Sequence, residues 1–175
     1  MSGLDRIRKE FNDLVGEPLT YCGIVVSLFD DNDITNWKVS MLGPKDTSYE
    51  GGLFYLSVHF PRDYPKKGPE VCFITPIYHL NVNPKAIQDG IPLGHLSSYT
   101  LHMWKEKFTM REVLVDIFAL FYSYAPYDPY GFDIVKEFLH NNALYEEKAR
   151  KFTKQYADPT IFFKMYPKDQ DWVFK

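Results

Sequence analysis

Cysteine is nearly absent from this chain: two thiols, Cys22 and Cys72, stand among 175 residues. Both lie in apolar, strand-like surroundings far apart in sequence, and the first residues lack the basic-then-apolar form of a signal peptide, so neither a disulfide framework nor secretion is expected. A reducing compartment, cytoplasm or nucleus, is the expectation. An excess of charge of one sign is missing as well. The 20 basic and 23 acidic residues leave a net charge of −3, which offers no general attraction to phosphate backbones or anionic lipid, so neither nucleic acid nor a membrane is an expected partner. The longest apolar run, VLVDIFALFYSYA, is interrupted by Asp116 and falls short of the about 20 apolar residues that span a bilayer. Repeats and low-complexity tracts are lacking. His79, His95 and His102 have no ligand spacing on one element and no cysteine beside them, so no metal and no other cofactor is expected.

What is present is apolar and aromatic side chain, 45% and 17% of the residues, enough for one well-packed domain and not comfortably for two. SGLDRIRKEFNDL predicts an amphipathic helix with Leu4, Ile7, Phe11 and Leu14 on one face and a capping box from Ser2 to Asp5. Its cations Arg6, Arg8 and Lys9 form either a solvated face or a small docking patch. YCGIVVSLF, NWKVSML, LFYLSVHF and EVCFIT alternate as strands, and the turns DDND, GPKD and EGG make them a meander of antiparallel hairpins. PRDYPKKGP is an irregular connection, since its prolines cannot join a ladder. The polar stretch HLNVNPKAIQDGIPLGHLSSYT reads as a long loop. From Thr109 the period changes to 3.6: Thr109 and Glu112 form a second capping box, and Met110, Val113, Leu114, Ile117 and Phe121 form the stripe of a central buried helix. Two more helices are predicted around FDIVKEFLH and ALYEEKARKFTKQYA, the latter with Tyr145, Ala149, Phe152 and Tyr156 on one face. The expected fold is α+β: an N-terminal helix, a four-stranded antiparallel meander, a long loop and three C-terminal helices. The domain is expected over 1–157, with 158–175 an aromatic-rich C-terminal extension that folds back, because so many exposed aromatics would be adhesive.

That order, with LGPKDTSYEGGLFYLSVHFPRDYPKKGPEVCFIT, IYHLN, Trp104 and APYDP, resembles the ubiquitin-conjugating enzyme family over about residues 3 to 157. The resemblance implies a nucleophilic cysteine shortly after the His-Pro-Asn segment, whose thiolate carries ubiquitin as a thioester. Here the segment reads DGIPLGHL, and Pro92 falls where the cysteine is expected. Catalytic residues are therefore expected to be none. His79, Asn81, Pro92, Trp104 and Asp128 mark a degenerate site, with Asn81 matching the asparagine that serves the oxyanion or orders the loop, and His79 the histidine that orders the same turn. Asp128 matches an acidic residue bordering the acceptor-lysine channel, or is a turn residue accepting backbone hydrogen bonds. Leu80 replaces a family proline, and the interval from Pro92 to Trp104 is longer than usual. Cys22 and Cys72 read as small buried hydrophobes, and Ser97, Ser98 and His95 lack an acid that would complete a triad.

Partner surfaces also depart from the family. Lys66 and Lys105-Glu106-Lys107 stand in the two loops by which RING and HECT ligases grip it, in place of apolar anchors. DDNDITNWKVSMLGP and WKEKFTMREVLVDI resemble the cysteine-less branch, the ubiquitin-conjugating enzyme variants, although those usually stop after the central helix. The implied function is a non-catalytic cofactor or adaptor that positions ubiquitin, or a ubiquitin-like protein, or that pairs with an active conjugating enzyme. Tyr21, Cys22, Gly23, Ser40 and Ser57 are the candidate ubiquitin surface, or ordinary exposed sheet residues; Arg6, Arg8, Lys9 and Lys66 are candidates for a partner such as an active conjugating enzyme, a ligase or another adaptor. The alternative function is an interaction scaffold unrelated to ubiquitin transfer, docking through the aromatic tail from Phe162 to Phe174.

Overall fold

The structure, a computed structural model, describes residues 1–84, 93–124 and 129–165. Helix α1 (Gly3–Gly16) opens with the expected reciprocal cap between Ser2 and Asp5. It is followed by a single 3₁₀ turn at Thr20–Cys22 and strands β1 (Ile24–Leu28), β2 (Asn36–Leu42), β3 (Leu53–His59) and β4 (Glu70–Phe73). The strands pair in chain order, every pair antiparallel. β1 starts later than its apolar pattern suggests because Gly23 sits in the left-handed region at φ 58°, where a side chain would also press on Leu42. β4 ends early at a bulge: the Ile74 and Thr75 N–H groups both donate to the Tyr55 carbonyl, and the Thr75 hydroxyl accepts from Tyr55 N.

Register sorts the side chains by period two. Trp37, Val39 and Met41 face the same side as Phe54, Leu56, Val58, Val71 and Phe73, and α3 (Met110–Ala119) presses its expected stripe onto that layer, with Met110, Val113, Leu114 and Ile117 at 1% exposure or less. Burying such side chains contributes about 1.5–3 kcal/mol each. The predicted helices α4 (Phe132–His140) and α5 (Asn142–Tyr156) form a second cluster in which Leu80, Ile134 and Tyr145 are buried. On α5 the buried positions are Tyr145, Ala149 and Thr153, with Phe152 and Tyr156 half-buried.

Two short helices lie where the sequence shows no period. α2 (Tyr99–His102) forms across the end of the expected long loop, its Thr100 N–H and hydroxyl both donating to Asp116. α6 (Pro159–Met165) forms in the C-terminal extension, and its Phe163 packs with Leu42, Leu53, Tyr55 and Ile74 on the sheet face opposite the main core. Leu4, expected in the buried stripe of α1, is exposed instead; the buried set there is Ile7, Glu10 and Leu14.

Candidate functional site: a zipped loop beside the last strand

Beyond the β4 bulge the chain turns into the core at His79. The His79 ring accepts the Asn81 N–H at Nδ1 and donates from Nε2 to the Leu120 carbonyl, which fixes a neutral tautomer. It lies 5.8 Å from the Tyr49 ring and 5.5 Å from the Tyr124 ring, and complete burial holds it down at a pKa of about 4. With both nitrogens engaged it is neither a metal ligand nor a general base as it stands.

Residues 81–83 then pair with 94–97 through Ser97 N to Asn81 O, Asn83 N to His95 O and Gly94 N to Asn83 O. The same 94–96 stretch pairs with β4 through Phe73 N to Gly94 O and Leu96 N to Val71 O. The base of the loop is thus a short ladder laid along the β4 edge, which also removes an open sheet edge. Gly94 is required there: its φ is 76°, and a Cβ would lie 2.1 Å from the Phe73 carbonyl oxygen. Asn81 is fully buried at this junction. Pro92 and Asp128, on which two expectations rest, lie outside the described residues.

The remodelled positions have partners of their own. Leu80, where the family carries proline, donates its N–H to the Tyr145 hydroxyl at 3.3 Å and buries its side chain against Ile134 and Tyr145, a contact that proline cannot make. Its carbonyl accepts the Tyr130 N–H at 2.7 Å, and the Tyr130 hydroxyl meets His95 Nδ1. Tyr130 was not singled out by sequence, and Tyr145 was read only as one position on the apolar face of its helix; the signal for their role beside Leu80 was a tyrosine-rich stretch next to a departure from the family motif.

Neither cysteine thiol nor the Ser98 hydroxyl has the surroundings of an activated nucleophile. The Cys72 thiol, on the outer sheet face opposite Ser57 and His95, is pushed up to about 11 by burial and by Glu70, which disfavours the thiolate at neutral pH. Burial also raises the Cys22 thiol. Ser98 is fully buried and shares a hydrogen bond with Thr100, which bonds Asp116, a chain that does not pass through a histidine. Among the described residues no three His, Cys, Asp or Glu side chains converge as metal ligands, and no helix is long and apolar enough to cross a membrane.

Trp104 is a clamp. Its indole N–H donates to the Pro65 carbonyl at 2.8 Å, its ring covers Gly68 so closely that a Cβ there would fall 2.8 Å away, and Tyr64 lies 5.7 Å off. Below it the buried Glu10 carboxylate accepts from Arg6 Nε at 2.7 Å, the Tyr64 hydroxyl at 2.8 Å and the Met110 N–H at 2.6 Å, so one side chain caps α3 and ties it to α1 and the 61–68 connection. Arg6 donates further to the Glu106 and Phe108 carbonyls.

The candidate partner residues therefore divide. Arg6 is spent on the fold, a correction to its reading as a docking cation, whereas Arg8, Lys9 and Lys66 are exposed, Lys9 paired with Asp13. The candidate ubiquitin surface divides too: Tyr21 is 76% exposed and Gly23 and Ser57 half-buried, but Cys22 and Ser40 are buried. Cys22 closes the 3₁₀ turn inward, and Ser40 stands between Val25 and Tyr55 in the ladder; both are corrected from surface to interior.

A helix, a four-stranded meander, a zipped loop on the last strand, a central helix and two further helices, with an aromatic clamp between the loops, define the α+β ubiquitin-conjugating fold. The family model described as "Ubiquitin-conjugating enzyme" matches residues 6–153, and the chain belongs to the ubiquitin-conjugating enzyme family.

Proposed function

We propose that the chain is a non-catalytic member of its family, a cofactor or adaptor in ubiquitin or ubiquitin-like conjugation in the cytoplasm or nucleus, which positions the modifier or pairs with an active conjugating enzyme. The observation that supports it most is the state of the thiols. By resemblance, Pro92 falls where the family carries its cysteine, and the two cysteines of the chain have thiols raised by burial, which makes them poor nucleophiles. What remains is catalysis by orientation, in which this chain supplies a surface and the partner the thioester. Tyr21, Gly23 and Ser57 are the accessible candidates for the modifier, and Arg8, Lys9 and Lys66 for the partner enzyme or a ligase. Residues 1–157 act as the conjugating-type domain, and 158–175 as an extension to it.

The test is chain formation from ubiquitin, activating enzyme and ATP with each of a panel of active conjugating enzymes, with and without this protein. Faster chain formation with one partner is the expected result; an unchanged rate with every partner would contradict it. A scaffold role outside ubiquitin transfer is favoured by a different feature: Phe132 and Leu139, two turns apart on α4, are 81% and 67% exposed, an apolar strip on a helix whose other face is buried.

A further inference from the structure

We infer that α6 is a cover in cis over the apolar end of the sheet's outer face, and that ubiquitin seated on that face must displace it. Its regulatory half rests on the function proposed above; the packing does not.

An antiparallel sheet with helices on one face leaves the other to solvent. Across the middle of that outer face the register sets a polar row, Ser27, Lys38, Ser57, Cys72 and His95. Toward the start of β3 the face becomes apolar, with Leu42, Leu53, Tyr55 and Ile74. Leu53 and Tyr55 are 0% and 1% exposed although they lie outside the main core, and Phe163 of α6 is packed against them. The candidate residues Gly23 and Ser57 border the same patch: Gly23 touches Leu42, and Ser57 lies two residues along β3 from Tyr55.

Among the described residues the attachment of α6 consists of hydrogen bonds at its base and the packing of Phe163 along its length. The Ala157 carbonyl accepts the Leu53 N–H at 2.8 Å, and Asp158 accepts both the N–H and the hydroxyl of Thr160. Beyond that hinge the helix has seven residues, of which Thr160, Ile161 and Lys164 are exposed. A helix this short is not stable by itself, so its place depends on packing in which Phe163 is central. Among the described residues the segment is tied at its base and packed along its length through Phe163, and such a segment can leave the face without unfolding the domain. The closed state lowers the apparent affinity of any competitor by the ratio of closed to open molecules, between about threefold and about thirtyfold for one partly buried phenyl ring.

The experiment compares the wild-type chain with Phe163→Ala, and with a chain ending at Ala157, in two readouts. The first follows methyl NMR signals of Leu42, Leu53 and Ile74, which sense the Phe163 ring without any partner. The second titrates each protein into isotope-labelled ubiquitin. The expected result is that those methyl signals move in Phe163→Ala while core methyls of Val39 and Leu56 stay, and that ubiquitin binds about threefold to about thirtyfold more tightly. Unmoved methyl signals would overturn the cover itself. Moved signals with equal ubiquitin affinity would overturn the competition and leave α6 a structural strap. Absence of ubiquitin binding by every form would overturn the competition together with the modifier-positioning half of the proposed function, leaving pairing with an active conjugating enzyme to the chain-formation assay. Should the truncated chain fail to fold, the Phe163→Ala pair carries the same outcomes.

Discussion

Acid should weaken this fold through one histidine. His79 is fully buried and neutral, with a pKa of about 4 in the folded chain, whereas an unfolded histidine titrates near about 6.5. Above that value neither state holds the proton, and the contribution of neutral burial is intact. As the pH falls through about 6.5 the unfolded chain takes up a proton that the folded chain refuses, so stability declines until about pH 4, where the folded state accepts it too and the decline from this group ends. The difference corresponds to about 3 kcal/mol, a sizeable part of a domain's usual 5–15 kcal/mol, taken as an order of magnitude. Depressed carboxyls such as Asp33, held down by Thr35, and Glu137, held down against its own desolvation by Lys148 and Tyr78, act in a lower window, because their stabilisation is lost only as the pH falls into and below the ordinary carboxylate range. Urea unfolding followed by tryptophan fluorescence, from about pH 7 to about pH 4.5, separates the two. The wild-type chain should lose about 2–3 kcal/mol over that range, and His79→Gln, less stable at neutral pH, should lose clearly less. Parallel pH profiles for the two proteins would refute the reasoning.

Other perturbations test the fold at points where one group serves several elements. Glu10→Ala leaves Arg6, Tyr64 and the Met110 N–H without their shared acceptor and should cost about 3 kcal/mol in denaturant unfolding, with Glu10→Gln retaining part of it. Leu80→Pro, which restores the family residue, removes the donor to Tyr145 and should cost about 2 kcal/mol or more by the same assay, whereas a neutral or stabilising effect would show that the contact carries no weight. Gly94→Ala forces a Cβ against the Phe73 carbonyl and should raise hydrogen exchange at the Leu96 and Phe73 amides, the two that tie the loop to β4, before it affects the β2–β3 ladder.

The sequence was most informative where one periodicity governed a whole element. The capping boxes at Ser2 and Thr109, the four strands and the stripe of α3 follow from local pattern alone, and the bounds of α4 match its predicted segment, FDIVKEFLH. It was least informative where a side chain acts across elements. Glu10 reads as one more charge on a solvated helix, since nothing local announces that Tyr64, 54 residues away, and Met110, 100 residues away, will turn to it. Leu4 fits the apolar spacing yet is 55% exposed, whereas Ile7 and Leu14 of the same helix are buried. α6 is invisible to periodicity because seven residues are too few to show a stripe, and its position is set by the Leu53, Tyr55 patch it meets. At the loop beside β4 the motif IYHLN located His79 and Asn81, but the tyrosines that accommodate Leu80 come from α5 and the approach to α4, where the family pattern gives no marker.

The central claim, that this member of the family carries no thioester, is tested most directly by a charging assay. The protein is incubated with ubiquitin, activating enzyme and ATP, and compared on reducing and non-reducing gels beside Cys22→Ser and Cys72→Ser variants. The account predicts no reducible adduct on any of the three proteins. A reducible adduct on the wild-type chain that disappears in Cys72→Ser or in Cys22→Ser would contradict it, and would name the thiol that does the chemistry.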